Sequence, residues 1–261
     1  MTQAHGSEQQ HTGGGKTVRF KVKRQDEAGS APYWQEFEVP YEAGMNVISL
    51  LMGVQKNPKT AGGEPTTPVN WECACLEEVC GSCTMVINGK VRQSCSAIVD
   101  HLEQPIVLEP MGKFPVIRDL QVSRQPMFEA LKRVKAWIPI DGTYDLGPGP
   151  RQSPKDQHVT YTLSTCMTCG CCVEACPNYN EKTGFIGAAA ISQARLFNMH
   201  PTGERNADER LEALLGPGGI AACGNAQNCV QVCPKEIPLT ESIAKMGRET
   251  IKYELRKWFG S

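Results

Sequence analysis

The sequence predicts an α+β chain, in which a small mixed sheet carrying one helix is followed by a wholly helical block. Three observations predict this. Apolar and polar residues alternate through "TVRFKVKRQ" and "WQEFEVPY", as in half-buried strands. The pair Asn88-Gly89 splits "TMVINGKVRQS" into a strand, a tight turn and a second strand. Beyond Leu108 the alternation stops and helical periodicity takes over.

The elements follow in order. Residues 1–15 are polar and lack an apolar core, so they read as a disordered tail and not as an export signal. The first domain is expected over 16–122. Within it, "NVISLLMGVQK" places Val47, Leu50, Leu51 and Val54 on one helical face, with Asn46 available as N-cap. "QPIVLEPM" supplies a closing strand, and none is expected after Leu108. The second domain is expected over 123–261. "QPMFEALKRVKAWI" reads as a helix with Phe128, Leu131, Val134 and Ile138 inward. "DGTYDLGPGPRQSPKDQ" reads as loop. "GAAAISQARLFNMH", "ADERLEALLG" and "LTESIAKMGRETIKYELRKWFG" read as helices, the last one basic towards its end.

Composition excludes several classes of function. With 27 Lys and Arg against 28 Asp and Glu, the chain has no overall charge to hold nucleic acid. No apolar run approaches the roughly 20 residues of a spanning helix. No acid–base constellation and no phosphate loop after a strand stand out. The five histidines lie outside the cysteine runs and read as surface or packing residues.

The chemistry lies in the 13 cysteines. An odd number in tight runs, without an export signal, points to metal ligation and away from a disulfide framework. Cys75, Cys80, Cys83 and Cys95 have the plant-type [2Fe–2S] spacing, with Cys95 brought back by the Asn-Gly hairpin. A zinc site built from two C-x2-C pairs fits the four-residue gap poorly. Gly81 gives the ligand loop its backbone freedom.

The run "CMTCGCCVEACP" places Cys166, Cys169, Cys172 and Cys176 at C-x2-C-x2-C-x3-C-P. The run "CGNAQNCVQVCP" repeats it with Cys223, Cys229 and Cys233, but Ala226 stands at the second place. In paired runs the fourth cysteine ligates the other run's cluster. Cys166, Cys169, Cys172 and Cys233 therefore make a [4Fe–4S] set. Cys176, Cys223 and Cys229 make a three-thiolate set that suits [3Fe–4S]. The alternative is a four-iron cluster whose bare corner takes water, Asn225 or Gln227. An all-ferric three-iron core should accept an electron more readily than its neighbour. Cys73 is surplus and reads as a thiol that is buried or packed behind a ligand, and Cys171 falls out of register as a second spare. Pro177 and Pro234 end the local turns and shield the clusters.

These three runs, with "FIGAAAI", "DERL" and "CGNAQNCVQVCPKEIP", resemble the iron–sulfur subunit of succinate dehydrogenase and quinol–fumarate reductase over nearly the whole chain after the tail. The resemblance implies a plant-type β-grasp ferredoxin domain followed by an all-α ferredoxin domain. It also implies two partners: a flavoprotein carrying FAD and the dicarboxylate site, and a membrane cytochrome b anchor carrying haem b. Electrons would pass from FAD through [2Fe–2S], [4Fe–4S] and [3Fe–4S] to quinone, with Pro177 near the quinone. The same wiring serves succinate oxidation and fumarate reduction. Location would be the cytoplasmic side of the bacterial plasma membrane, peripheral and held by the anchor. Gly224 follows Cys223 and "PNYNEK" follows Cys176, where ubiquinone-linked members tend to carry a histidine and a tryptophan pair. These departures point to menaquinone. A freestanding ferredoxin is the rival outside the family.

Overall fold

The computed structural model describes residues 15–139 and 151–260. The polar tail expected over residues 1–15 lies outside them except for its last residue, as does the first part of the Gly/Pro loop.

Strands β1 (Thr17–Arg24) and β2 (Tyr33–Pro40) form an antiparallel hairpin. Helix α1 (Val47–Lys56) follows, then β3 (Thr84–Ile87), β4 (Lys90–Gln93) and β5 (Ile106–Glu109). The sheet order is β2-β1-β5-β3-β4, with β5 parallel to β1 and the other pairs antiparallel. Alternation in β1 buries Val18, Phe20 and Val22, and Phe20 stacks on Phe37 of β2 with ring centroids 5.6 Å apart. Helix α1 buries its four expected residues in the same core. Asn46 caps it through a complete capping box with Ser49. Asn88 and Gly89 both have positive φ, 49° and 74°, the left-handed pair that a two-residue hairpin turn demands.

Two short strands, β6 (Val116–Arg118) and β7 (Gln121–Val122), pair antiparallel beyond Leu108, where the sequence shows none. They are too short to alternate. A polar residue makes them. Asp119, fully buried at φ 45°, accepts Arg24 Nε at 2.7 Å and the backbone N–H groups of Gln25 and Asn70 at 3.1 and 2.8 Å. Arg24 is equally buried, and its other nitrogens reach Gln35 Oε1, Thr67 and the Pro68 carbonyl. Residues 111–122 straddle both halves: Leu120 packs in the sheet core, whereas Met111, Phe114 and Val122 pack in the helical one.

The helical part consists of α2 (Gln125–Arg133), α3 (Pro154–Ser164), α4 (Cys171–Glu174), α5 (Ala188–Met199), α6 (Ala207–Leu215), α7 (Asn228–Gln231) and α8 (Leu239–Phe259). Two expectations are corrected. Helix α2 buries Met127, Ala130 and Val134, while Phe128 is exposed. Its neighbours α5 and α6 meet it one position round from the face the large side chains suggest. The loop reading also runs too far, because α3 begins at Pro154, with Ser153 Oγ capping the Asp156 amide. Arg210 of α6 is fully buried, and among the described residues no carboxylate forms an ion pair with it. It donates to the carbonyls of Lys135, Trp137 and Gly203 and to Asn198 Oδ1, tying the end of α2 to α5 and α6.

Candidate metal centres

Cys83 directly precedes β3 and Cys95 lies two residues after β4, so the hairpin sets these two thiols side by side. The Ser94 amide and hydroxyl both bond the Cys83 carbonyl, at 3.2 and 2.9 Å. Helix α1 completes the wall. Ile48 packs on Cys83 and Cys95, and Asn46 Nδ2 donates to the Cys95 carbonyl at 2.9 Å. Asn46 thus caps a helix and holds a ligand strand, and only its first task is readable from sequence.

The other two thiols stand on an exposed loop with Leu76, Glu78 and Gly81 at positive φ. That winding aims backbone N–H groups inward. Glu77, Val79 and Cys80 donate to Cys75 Sγ at 3.5, 3.3 and 3.3 Å, and Ser82 donates to Cys80 Sγ at 3.4 Å. Burial raises the Cys80 thiol, but hydrogen bonds from Cys75 and Ser82 outweigh it and bring it down to about 6. Burial pushes Cys83 up to about 12, against the pull of the Cys95 amide. Cys73, expected to be buried, is exposed. It lies before the wound part of the loop, where nothing covers it.

The second and third runs line two separate small cavities, each of about 20 Å³. Cys166, Cys169, Cys172 and Cys233 line the first, with Met127, Ala189, Ile237 and Leu239. Cys176, Cys223 and Cys229 line the second, with Ala226, Pro177 and Thr240. Cys233 thus lines one cavity with thiols of the second run and Cys176 the other with thiols of the third, and the surplus Cys171 lines the first as well. Electrostatic neighbours agree: Cys166 feels Cys169 and Cys233, while Cys229 feels Cys176 and Cys223. Burial first, and then the sulfurs around it, holds Cys172 well above the usual thiol range. Thiols so crowded need positive charge between them, and metal binding with loss of their protons supplies it. Among the described residues no three His, Cys, Asp or Glu side chains converge closely enough for a single ion. Donors spread too widely for one ion suit a multi-atom cluster.

The backbone explains why Ala226 does not spoil its loop. Around Cys169, Thr168 and Gly170 have φ of 52° and 95°; around Ala226, Asn225 and Gln227 have 53° and 63°. The two four-residue helices α4 and α7 follow at equivalent places. Side-chain amides join the runs: Asn228 donates to the Ala175 carbonyl at 2.9 Å and Asn178 to the Ala222 carbonyl at 3.2 Å. A Cβ at Gly224 would stand 2.6 Å from Asn178 Oδ1, so a larger residue there would displace the asparagine side chain.

Residues 19–129 match the family described as 2Fe-2S iron-sulfur cluster binding domain, and residues 162–237 match the 4Fe-4S dicluster domain. The succinate dehydrogenase iron-sulfur subunit of Bacillus subtilis (strain 168) is 63% identical over 246 residues, which cover 94% of this chain and 97% of the relative. The chain belongs to the succinate dehydrogenase and fumarate reductase iron–sulfur subunits. As a member it is an iron–sulfur electron-transfer subunit of the succinate dehydrogenase type, with a two-iron domain and a dicluster domain. The fumarate reductase iron-sulfur subunit of Wolinella succinogenes is 28% identical over 91% of this chain and 98% of its own. In fold, a chain of the Mycobacterium smegmatis Sdh1 complex in the apo form matches with a TM-score of 0.71 at 23% identity, covering 90% of this chain and 96% of that one.

Proposed function

We propose that this subunit joins FAD on a flavoprotein partner to a quinone, menaquinone by the residues present, in a membrane-bound succinate dehydrogenase. Cys75, Cys80, Cys83 and Cys95 hold [2Fe–2S]; Cys166, Cys169, Cys172 and Cys233 hold [4Fe–4S]; Cys176, Cys223 and Cys229 hold [3Fe–4S]. When bound, these clusters supply one-electron carriers. The sheet order with α1 across it supports a β-grasp domain over 16–122, and the helices after it support an all-α ferredoxin domain over 123–261, with 111–122 as a strap between them.

One observation carries the reading: the three thiol groups lie in series, and the two end groups are open, the first along its exposed loop 73–79 and the third along 224–227. Gly81, between two ligands of the first group, lies against Cys169 of the second. Cys172 of the second group feels Cys229 of the third. Pro177 and the loop 224–227 beside the third group are exposed, which suits the end where electrons reach quinone. No described helix is long and apolar enough to cross a membrane, so membrane attachment is assigned to an anchor partner carrying haem b. Ile251, Leu255, Trp258 and Phe259 form an exposed apolar stripe on α8 that suits such a partner. In the reverse direction the same order of sites serves fumarate reduction.

Ala226→Cys tests the decisive site. The variant should gain one iron per chain, lose the [3Fe–4S] EPR signal of the oxidised complex and reduce quinone more slowly. A wild-type complex without that signal, or a variant that keeps it, overturns the assignment. Extraction of the bound quinone from the purified complex checks menaquinone directly.

A further inference from the structure

Arg124 stands at the head of α2, where a short polar side chain would normally cap the helix, and its side chain makes no capping bond. It reaches instead to two ligand loops. A single nitrogen, Nη1, donates to the Gly81 carbonyl at 3.3 Å and to the Thr168 carbonyl at 3.0 Å. An Nη nitrogen carries two N–H bonds, so each loop takes one. Gly81 lies between the two-iron ligands Cys80 and Cys83, and Thr168 directly precedes the four-iron ligand Cys169. Both carbonyls belong to wound backbone, with φ of 71° at Gly81 and 52° at Thr168. A β-branched residue such as Thr168 keeps a left-handed conformation only where its surroundings hold it. The bond from Arg124 is one such hold.

The two loops are packed as closely as a glycine allows. A Cβ on Gly81 would stand 2.6 Å from Cys169 Cβ and 2.8 Å from its Cα. Gln93, at the end of β4, makes a further bond across the same join, from Nε2 to Cys171 Sγ at 3.3 Å. The Arg124 side chain differs from that neutral contact in carrying a charge. It is half-buried, and among the described residues no carboxylate forms an ion pair with it. Its charge is left to act on the two thiolate sets whose loops it touches, in a partly dry place where water screens it less than at the surface.

We propose that Arg124 is a positioning residue for electron transfer between the two-iron and four-iron sites. It clamps the Gly81 and Thr168 loops at one separation, and its charge favours the reduced, more negative form of both sites. The inference rests on the ligand assignment above. Electron tunnelling falls steeply as the gap between carriers widens, so a clamp where the two loops touch acts where distance counts most. One electron moves from one site to the other, and no bond or proton on this chain changes.

Redox titration of the intact membrane complex, followed by low-temperature EPR, tests the clamp in Arg124→Met and Arg124→Lys. Methionine keeps an unbranched stem and loses both donors and the charge; lysine keeps the charge and a donor. In Arg124→Met the reduced-to-oxidised ratio at fixed poise should fall several-fold at both the two-iron and the four-iron site. A tenfold fall corresponds to about 59 mV for one electron. The three-iron midpoint should stay in place, and Arg124→Lys should restore most of both ratios. A second readout reports separation. With both sites reduced, each relaxes the other magnetically, and the microwave power needed to saturate the two-iron signal should drop in Arg124→Met as the loops part. An unmoved midpoint at either site, an unmoved saturation, a fall in Arg124→Lys equal to that in Arg124→Met, or a common shift of all three sites overturns the clamp. Should Arg124→Met fail to assemble, Arg124→Gln, a neutral donor, decides by the midpoints of the two sites, which should both fall. Absence of a two-iron or four-iron signal from the wild-type complex overturns the ligand assignment itself.

Discussion

The loops Cys166–Cys172 and Cys223–Cys229 share one backbone and differ in what surrounds it. Both place left-handed residues on either side of the second ligand position, then enter a four-residue helix. The first is enclosed: Gly170 sits where a Cβ would meet Met111 and Phe114 at 3.2 Å, and Met127, Ile237 and Leu239 close the cavity. The second is open along residues 224–227. Winding and ligand count are therefore set separately. The left-handed positions wind the loop, and Ala226 keeps the winding while removing one sulfur. Burial then shelters one loop and leaves the other open to solvent.

The hardest blow to this comparison comes from Cys233→Ala. Cys233 belongs by sequence to the open run and by geometry to the enclosed cavity. The variant should lose the four-iron EPR signal outright, and with it much of the assembled subunit, because the crossed ligands staple the two runs. Any residual material should retain the three-iron signal. Loss of the three-iron signal alone would show that each run ligates its own cluster.

The sheet domain is held differently. Its far end is fastened by the buried pair Arg24 and Asp119. Removing one partner of such a pair costs about 3–5 kcal/mol, because the other charge is left buried. Asp119→Ala should therefore lower the temperature at which the two-iron signal is lost on heating, while the four-iron and three-iron signals outlast it. Simultaneous loss of all three would mean that the domains unfold as one unit.

Much of this was legible beforehand because its causes are local. Asn46 marks a helix start, Asn88-Gly89 a turn, and cysteine spacings a ligand loop, each within a few residues. A rule about paired runs leads to the expectation that Cys176 and Cys233 cross, and each lines the cavity of the other run. What escaped depends on partners distant in sequence. Asp119 pairs with Arg24 across 95 residues and turns a patternless stretch into a ribbon. Gln93 meets Cys171 across 78 residues, so a thiol outside the ligand register could be read only as a spare. Cys73 and Cys171 are both spare by spacing, yet the first is exposed and the second buried, since position in the fold, and not cysteine chemistry, decides what covers a thiol.

Helix α2 gives the finest test, because there the sequence pattern and the packing disagree by a single residue. Size favours Phe128 as the anchor of the helix, yet Met127 fills the wall of the enclosed cavity and Phe128 is 45% exposed. Met127→Ala should cost about 2–3 kcal/mol, the low end for truncating a buried methionine, since the cavity wall can close partly around the gap. Phe128→Ala should stay within about 0.5 kcal/mol, as a surface change does. The denaturant midpoint for loss of cluster absorbance measures both on the holoprotein. Equal effects, or a larger one at Phe128, would put the phenylalanine in the core and move α2 round by about 100°, the turn that one residue makes in an α-helix. That rotation would also carry Met127 out of the four-iron wall, so the site most sheltered from solvent would lose the side chain that shelters it.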